Sequence, residues 1–152
     1  MHSKSDRIVF MNKERIALYL IFVVSALGVL GSLYFSEVLK FAPCVLCWYQ
    51  RIALYPIAII SFIAIVRKDF RSYVYMFPLA VIGWLVALYQ NLLIWGVIPE
   101  SLKPCVEGVS CTTKYIEIFG FITIPFLSFA SFTVILLSCI YIWYKQKVSD
   151  AT

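Results

Sequence analysis

Charged residues vanish from this chain in long blocks. None occurs at 16–36, 72–99 or 118–144, and between Val38 and Val66 only Lys40 and Arg51 interrupt the apolar run. A bilayer core about 30 Å thick takes roughly 20 apolar residues of helix to cross. Four segments are long enough: Ile16–Phe35, Val45–Val66, Tyr73–Trp95 and Phe121–Tyr144. Strand-like alternation is missing and each segment far exceeds a barrel strand, so helices are the solution that satisfies the backbone in lipid. The pattern predicts an all-α fold, a transmembrane four-helix bundle with two extracytoplasmic loops, in which 1–152 form a single integral membrane domain. The first segment is led by Lys4, Arg7, Lys13 and Arg15. It is longer than the roughly 7–15 apolar residues of a secretory signal and reads as a retained signal-anchor helix.

Composition agrees. The chain is 62% hydrophobic and 14% charged, against about 45–50% and about 25% in soluble domains. A soluble globule of 152 residues cannot hide so much apolar surface, and disorder is excluded. The net charge of +5 is mostly a topology signal. Lys4, Arg7, Lys13, Arg15, Arg67, Lys68, Arg71, Lys145 and Lys147 flank one face of the predicted membrane, and only Lys40, Lys103 and Lys114 the other. The positive-inside rule therefore predicts cytoplasmic termini, with loops 36–43 and 97–119 outside. Basic residues divided among short membrane-flanking segments do not form a nucleic-acid surface.

Five cysteines punctuate the chain, and four of them, Cys44, Cys47, Cys105 and Cys111, fall in or beside the two predicted outer loops. Outside the cytoplasm thiols tend towards disulfides. In Pro43-Cys44-Val45-Leu46-Cys47-Trp48-Tyr49-Gln50-Arg51, Pro43 suits the first turn of a helix, which places Cys44 and Cys47 on one face of the opening turn. The positive end of the helix dipole favours thiolate there, and a more acidic thiol leaves faster in exchange. Arg51 continues that face, about 6 Å further along the axis than Cys47. A cation at that depth either snorkels to the outer headgroups or serves a site. In the second reading it stabilises a thiolate or a reduced, anionic small molecule. Trp48 and Tyr49 suit an interfacial belt.

Cys105 and Cys111 can close a small ring in a loop that also holds Pro99, Pro104, Glu107 and Gly108, before a short surface helix expected near 114–119. A ring so small stabilises weakly, whereas an exposed disulfide is open to attack by a partner thiol. Cys139, deep in the fourth segment, reads as packing material. The sole histidine, His2, lies in the N-terminal tail. Gly28 and Gly31 suit close helix packing, and Pro78 and Pro125 mark bends near helix starts. Tyr89-Gln90-Asn91 either lines a cavity or meets the interface. Three functions fit the cysteines: an electron relay between thiols and a lipid-soluble acceptor, a zinc site, and a non-catalytic protein with two structural disulfides. An oxidising exterior and the presence of Arg51 disfavour zinc.

The nine-residue stretch from Pro43 to Arg51 closely resembles the helix-two signature of the DsbB/BdbC family of membrane disulfide-forming proteins. Lys103-Pro104-Cys105 with Cys111, and Phe119-Gly120-Phe121-Ile122-Thr123-Ile124-Pro125, resemble it as well. The short Cys105–Cys111 spacing is similar to the BdbC branch. The resemblance implies a multi-pass protein of the bacterial cytoplasmic membrane that reoxidises an extracytoplasmic thioredoxin-like partner, DsbA/BdbD-like, and passes the electrons to a membrane quinone, menaquinone or ubiquinone. It implies catalytic roles for Cys44, Cys47, Cys105 and Cys111, with Cys105 forming the mixed disulfide and Cys111 relaying to Cys44. Cys47 and Arg51 would face the quinone. Some relatives carry a histidine in outer helix three where this chain has Tyr89, Gln90 and Asn91, and an acidic residue where it has Gln50.

Overall fold

The computed structural model describes residues 4–40, 43–97 and 124–150. Helix α1 covers Lys4–Leu33 and runs directly into a π turn at Tyr34–Val38; α2 spans Val45–Arg67, α3 Tyr73–Ile94 and α4 Ile124–Asp150. No strand occurs among the described residues. Each helix contains a stretch long and apolar enough to cross a membrane. The first begins well before its apolar run, at Lys4 rather than Ile16, because its basic leader is helical too. Cys105, Cys111 and the expected helix at 114–119 lie outside the described residues.

Local chemistry explains the ends. Lys68 stops α2 in the left-handed region at φ 55°, its N–H returning to the carbonyls of Ala64 and Ile65. Asp69 then caps a single 3-10 turn, Phe70–Ser72, accepting from the Arg71 N–H at 2.9 Å and the Ser72 hydroxyl at 3.0 Å. Gly96, at φ 72°, follows α3 in the conformation glycine adopts most cheaply at a helix C-terminus. Pro78 lies within α3 and Pro56 within α2.

The helices close a ring, with α1 packed on α2 and α4, and α3 on α2 and α4. Size sorts the side chains. Ala17, Ala53, Ala64, Ala80 and Ala87 face inward beside Phe132, Ile21, Ile57, Met76, Ile135 and Ile142, while Leu27, Ile59, Phe62, Leu85 and Leu137 point out. That is the arrangement expected where lipid is as apolar as leucine and helix contact depends on close approach. Buried Ser25, Ser61 and Ser138 satisfy their hydroxyls on carbonyls of their own helices. Cys139 is fully buried in this core, as a packing role requires. Glu14 is buried on α1 within electrostatic reach of Lys145 on α4.

The glycines divide by function. A Cβ on Gly83 would overlap the Phe132 ring, so α3 and α4 meet there only because the side chain is absent. Gly28 stands similarly close to Leu54. The expectation of packing at Gly31 fails, since a Cβ there meets open space. Gly83→Val is therefore expected to destabilise the bundle by about 1–3 kcal/mol through overpacking, and Gly31→Ala to leave it nearly unchanged. Thermal unfolding of both variants in detergent checks the contrast.

Candidate active site

Cys44 and Cys47 meet where α2 begins. Cys44 is the N-cap, one position before the first helical turn, with extended backbone at φ −71°, ψ 168°, and its carbonyl accepts the Trp48 N–H at 3.2 Å. Pro43 therefore stands just outside the helix rather than in its first turn. The two sulfurs lie 3.1 Å apart, well beyond the ~2.05 Å of a disulfide bond, so the structure presents the dithiol. Cys44 is buried in an apolar cluster with Leu46 and Leu93, against which the half-buried Cys47, Val86 and Tyr89 pack.

A helix start on its own predicts an acidic Cys44. Instead, the hydrogen bond to the Cys47 sulfur, followed by burial, holds the Cys44 thiol above the ordinary thiol range. The first-turn N–H groups of Cys47 and Leu46 oppose this without overcoming it. Cys44 is thus the proton-holding member of the pair.

Arg51 does not snorkel freely. Its Nε donates to the Ser32 hydroxyl at 2.6 Å and its Nη2 to the Ser32 carbonyl at 2.8 Å, tying α2 to α1. The guanidinium carbon lies 5.3 Å from the centre of the Trp48 ring, within cation–π range. The same Ser32 carbonyl accepts from Ser36 at 3.2 Å, and the π turn starts two residues later. Arginine carries five N–H donors, so several remain available after the Ser32 bonds. Cys47 and Arg51 stand four residues apart on α2, with Cys44 at its N-cap, the sulfurs meeting α3 and the guanidinium meeting α1.

From the other side, the pair meets an amide. Gln90 on α3, only 2% exposed, directs its Nε2 at Cys44 Sγ from 3.5 Å and at Cys47 Sγ from 3.7 Å. Its Oε1 accepts from Gln50 Nε2 at 2.7 Å, and Gln50 Oε1 accepts from the Ser128 hydroxyl at 2.6 Å. Neighbouring Asn91 joins α3 to the first turn of α4, donating to the Ala87 carbonyl at 2.8 Å and the Pro125 carbonyl at 3.0 Å. Of the two readings of the Tyr89-Gln90-Asn91 patch, the interfacial one fails for Gln90 and Asn91, which are buried and bonded to neighbouring helices. Sequence reasoning assigned no part to Gln50, Gln90, Ser128 or Ser32. The uninterrupted apolar surroundings of Gln90 and Asn91 were the available signal; a single serine in a membrane helix carries none.

The family profile described as disulfide bond formation protein DsbB matches residues 14–142. Disulfide bond formation protein C of Bacillus subtilis is 45% identical over 129 residues, covering 84% of this chain and 92% of that protein. A probable disulfide formation protein C 1 of Bacillus anthracis is 43% identical over 135 residues, covering 89% and 96%. A probable disulfide formation protein C of Halalkalibacterium halodurans is 38% identical over 120 residues, covering 79% and 87%. No solved structure matches the chain at a significant level.

Because alkylation proceeds through the thiolate, Cys44 of the reduced protein is expected to react slowly with iodoacetamide at pH 8. Cys47→Ala removes the main cause of its raised pKa, which moves Cys44 back towards the ordinary range and speeds its alkylation by about tenfold. Peptide mass spectrometry of timed samples measures the rate at this one cysteine.

Proposed function

The chain belongs to the DsbB family of disulfide bond formation proteins, and from that footing we propose how this multi-pass membrane oxidoreductase moves electrons. It reoxidises an extracytoplasmic thioredoxin-like partner through Cys105 and Cys111, then discharges through Cys44 and Cys47 towards a membrane quinone. The single integral membrane domain spans 1–152, with both termini cytoplasmic, as the distribution of basic residues supports. The observation that carries the reading is a pair of sulfurs 3.1 Å apart at the start of α2, with an arginine fixed one turn beyond Cys47.

The exchange steps balance as two-electron transfers. A partner thiolate attacks the Cys105–Cys111 disulfide at Cys105, forming a mixed disulfide and releasing Cys111 as a thiol. The second partner thiol resolves that bond, so the partner leaves oxidised and Cys105 and Cys111 hold its two electrons and two protons. Cys111 then attacks Cys44 of the Cys44–Cys47 disulfide and expels Cys47, and Cys105 attacks Cys111 to close the outer pair again. Cys44 and Cys47 are left as the dithiol, the form the structure presents. The expelled sulfur lies beside the Gln90 amide and on the Arg51 face, which favours its departure with negative charge.

The donor set fits a quinone: a guanidinium with unspent N–H groups stands on the same helical face as a half-buried thiol. When bound, a quinone would supply the two-electron, two-proton acceptor that returns Cys44 and Cys47 to a disulfide. Arg51 would hold its oxygen, and Ser32 keeps Arg51 from swinging into the headgroups. Trp48 shields the guanidinium from lipid on its exposed side.

Anaerobic incubation of the purified protein with a reduced thioredoxin-like partner tests the reading, with oxidation of partner thiols dependent on added quinone as the expected result. Arg51→Ala is expected to keep partner thiol exchange and to slow quinone-dependent reoxidation by about 10–100-fold, the usual effect of removing a charge-assisted contact. Equal loss of both half-reactions assigns Arg51 to folding instead.

A further inference from the structure

A buried amide in a membrane core is costly unless its oxygen and its N–H groups find partners. At the cysteine end two glutamines sit side by side, Gln50 7% and Gln90 2% exposed. Their partners form one chain running from α4 through α2 and α3 to the sulfurs. The Ser128 hydroxyl donates to Gln50 Oε1, Gln50 Nε2 to Gln90 Oε1, and Gln90 Nε2 to the two cysteines. Every donor in the chain points towards the sulfur pair. Amide oxygen and nitrogen are nearly isosteric, so the network alone decides which one faces a neighbour. Here the Ser128 hydroxyl, which can donate or accept, donates to Gln50 Oε1, and the Gln50 Nε2 bond to Gln90 Oε1 then leaves the Gln90 N–H groups facing sulfur.

We propose that Gln90 is a catalytic hydrogen-bond donor to the Cys44–Cys47 pair, with Gln50 and Ser128 as positioning residues that hold its N–H towards sulfur. The proposal rests on the reading of Cys44 and Cys47 as the inner redox pair and deepens it. An N–H aimed at sulfur stabilises negative charge there, and that charge exists when the disulfide opens and not while it is closed. Gln90 therefore favours the reduced pair over the oxidised one and makes the pair a stronger acceptor of electrons from the outer cysteines. Gln90 reaches both sulfurs from the α3 side, while Arg51 is tied to α1. The two groups polarise the pair from different directions, and neither substitutes for the other. At 3.5 and 3.7 Å the contacts belong to the weaker range of charge-assisted bonds. The expected effect is accordingly about tenfold in the equilibrium constant.

The test is equilibration of the full-length protein in detergent with reduced and oxidised glutathione. The redox state of Cys44 and Cys47 is read by differential alkylation and peptide mass spectrometry, which separates them from Cys105 and Cys111. Gln90→Leu is expected to lower the equilibrium constant for reduction by about tenfold, or about 30 mV for a two-electron couple. Ser128→Ala lowers it less, Ser128→Thr restores it, and Ser128→Ala adds nothing in a Gln90→Leu background. A parental potential in Gln90→Leu overturns the proposal, as does full additivity of the two substitutions. If Gln90→Leu does not fold, the Ser128 series decides: a parental potential in Ser128→Ala overturns the relay, and a lowered potential restored by threonine supports it. A parental protein whose Cys44 and Cys47 never exchange with glutathione strikes the redox reading itself. Normal exchange in the parent with no response to Gln90→Leu strikes the donor role alone.

Discussion

Inside hydrocarbon a polar side chain has no water to fall back on, so it seeks a partner in the protein, and at the cysteine end of this bundle several of those partners are on another helix. Ser32 of α1 takes Arg51 of α2; Gln50 of α2 joins Gln90 of α3 to Ser128 of α4; Asn91 of α3 takes the Pro125 carbonyl of α4. Every helix is thereby drawn into one polar knot around Cys44 and Cys47. The opposite half of the bundle is held by size sorting, with alanines, Gly83 and Phe132 in contact and large aliphatic groups turned out. Packing alone brings helices together without fixing their rotation tightly, whereas a hydrogen bond between two buried side chains does fix it.

How much of this was legible beforehand follows from the range of each signal. The four helices were, because a membrane span is written in some twenty consecutive residues and no neighbour is needed to read it. Cys44, Cys47 and Arg51 were, because their spacing lies within two turns of one helix. Ser32 and Ser128 were not, since a serine in an apolar helix commonly bonds its own backbone, as Ser61 and Ser138 do here. Nothing local distinguishes those from the serines that reach across. Gln50 stands out only as a departure from the acidic residue of some relatives, and Gln90 only as part of a polar patch; their meeting depends on how α2 and α3 are rotated. Gly31 failed for the same reason, because small size permits contact but does not say which face carries it.

Thiol acidity departs from the helix-end expectation for a different reason. A helix N-terminus was expected to favour the thiolate for both cysteines, yet Cys44 is held protonated by its bond to Cys47. The macrodipole acts on whatever lies near the helix start, but once one thiol of a close pair has ionised, its hydrogen bond and its charge make the other harder to deprotonate. Within a close pair the nearest partner outweighs the distant field. The pair is therefore asymmetric, although its two residues are of one type and one helix positions both.

Under the proposed redox role, that asymmetry bears on the surrounding polar groups. A disulfide is neutral and accepts hydrogen bonds poorly, whereas a sulfur expelled when the bond opens leaves with negative charge and needs donors at once. Gln90 stands ready on the α3 side and Arg51 one turn beyond Cys47 on α2, each held by bonds that do not involve the cysteines. Donors fixed in this way need not reorganise when charge arrives, which is the condition under which buried dipoles aid a reaction most. Cys139 makes the contrast within the same chain. It lies fully buried among Ile135, Ile142 and Phe132, with no donor chain leading to it, and a charge formed there would find only hydrocarbon.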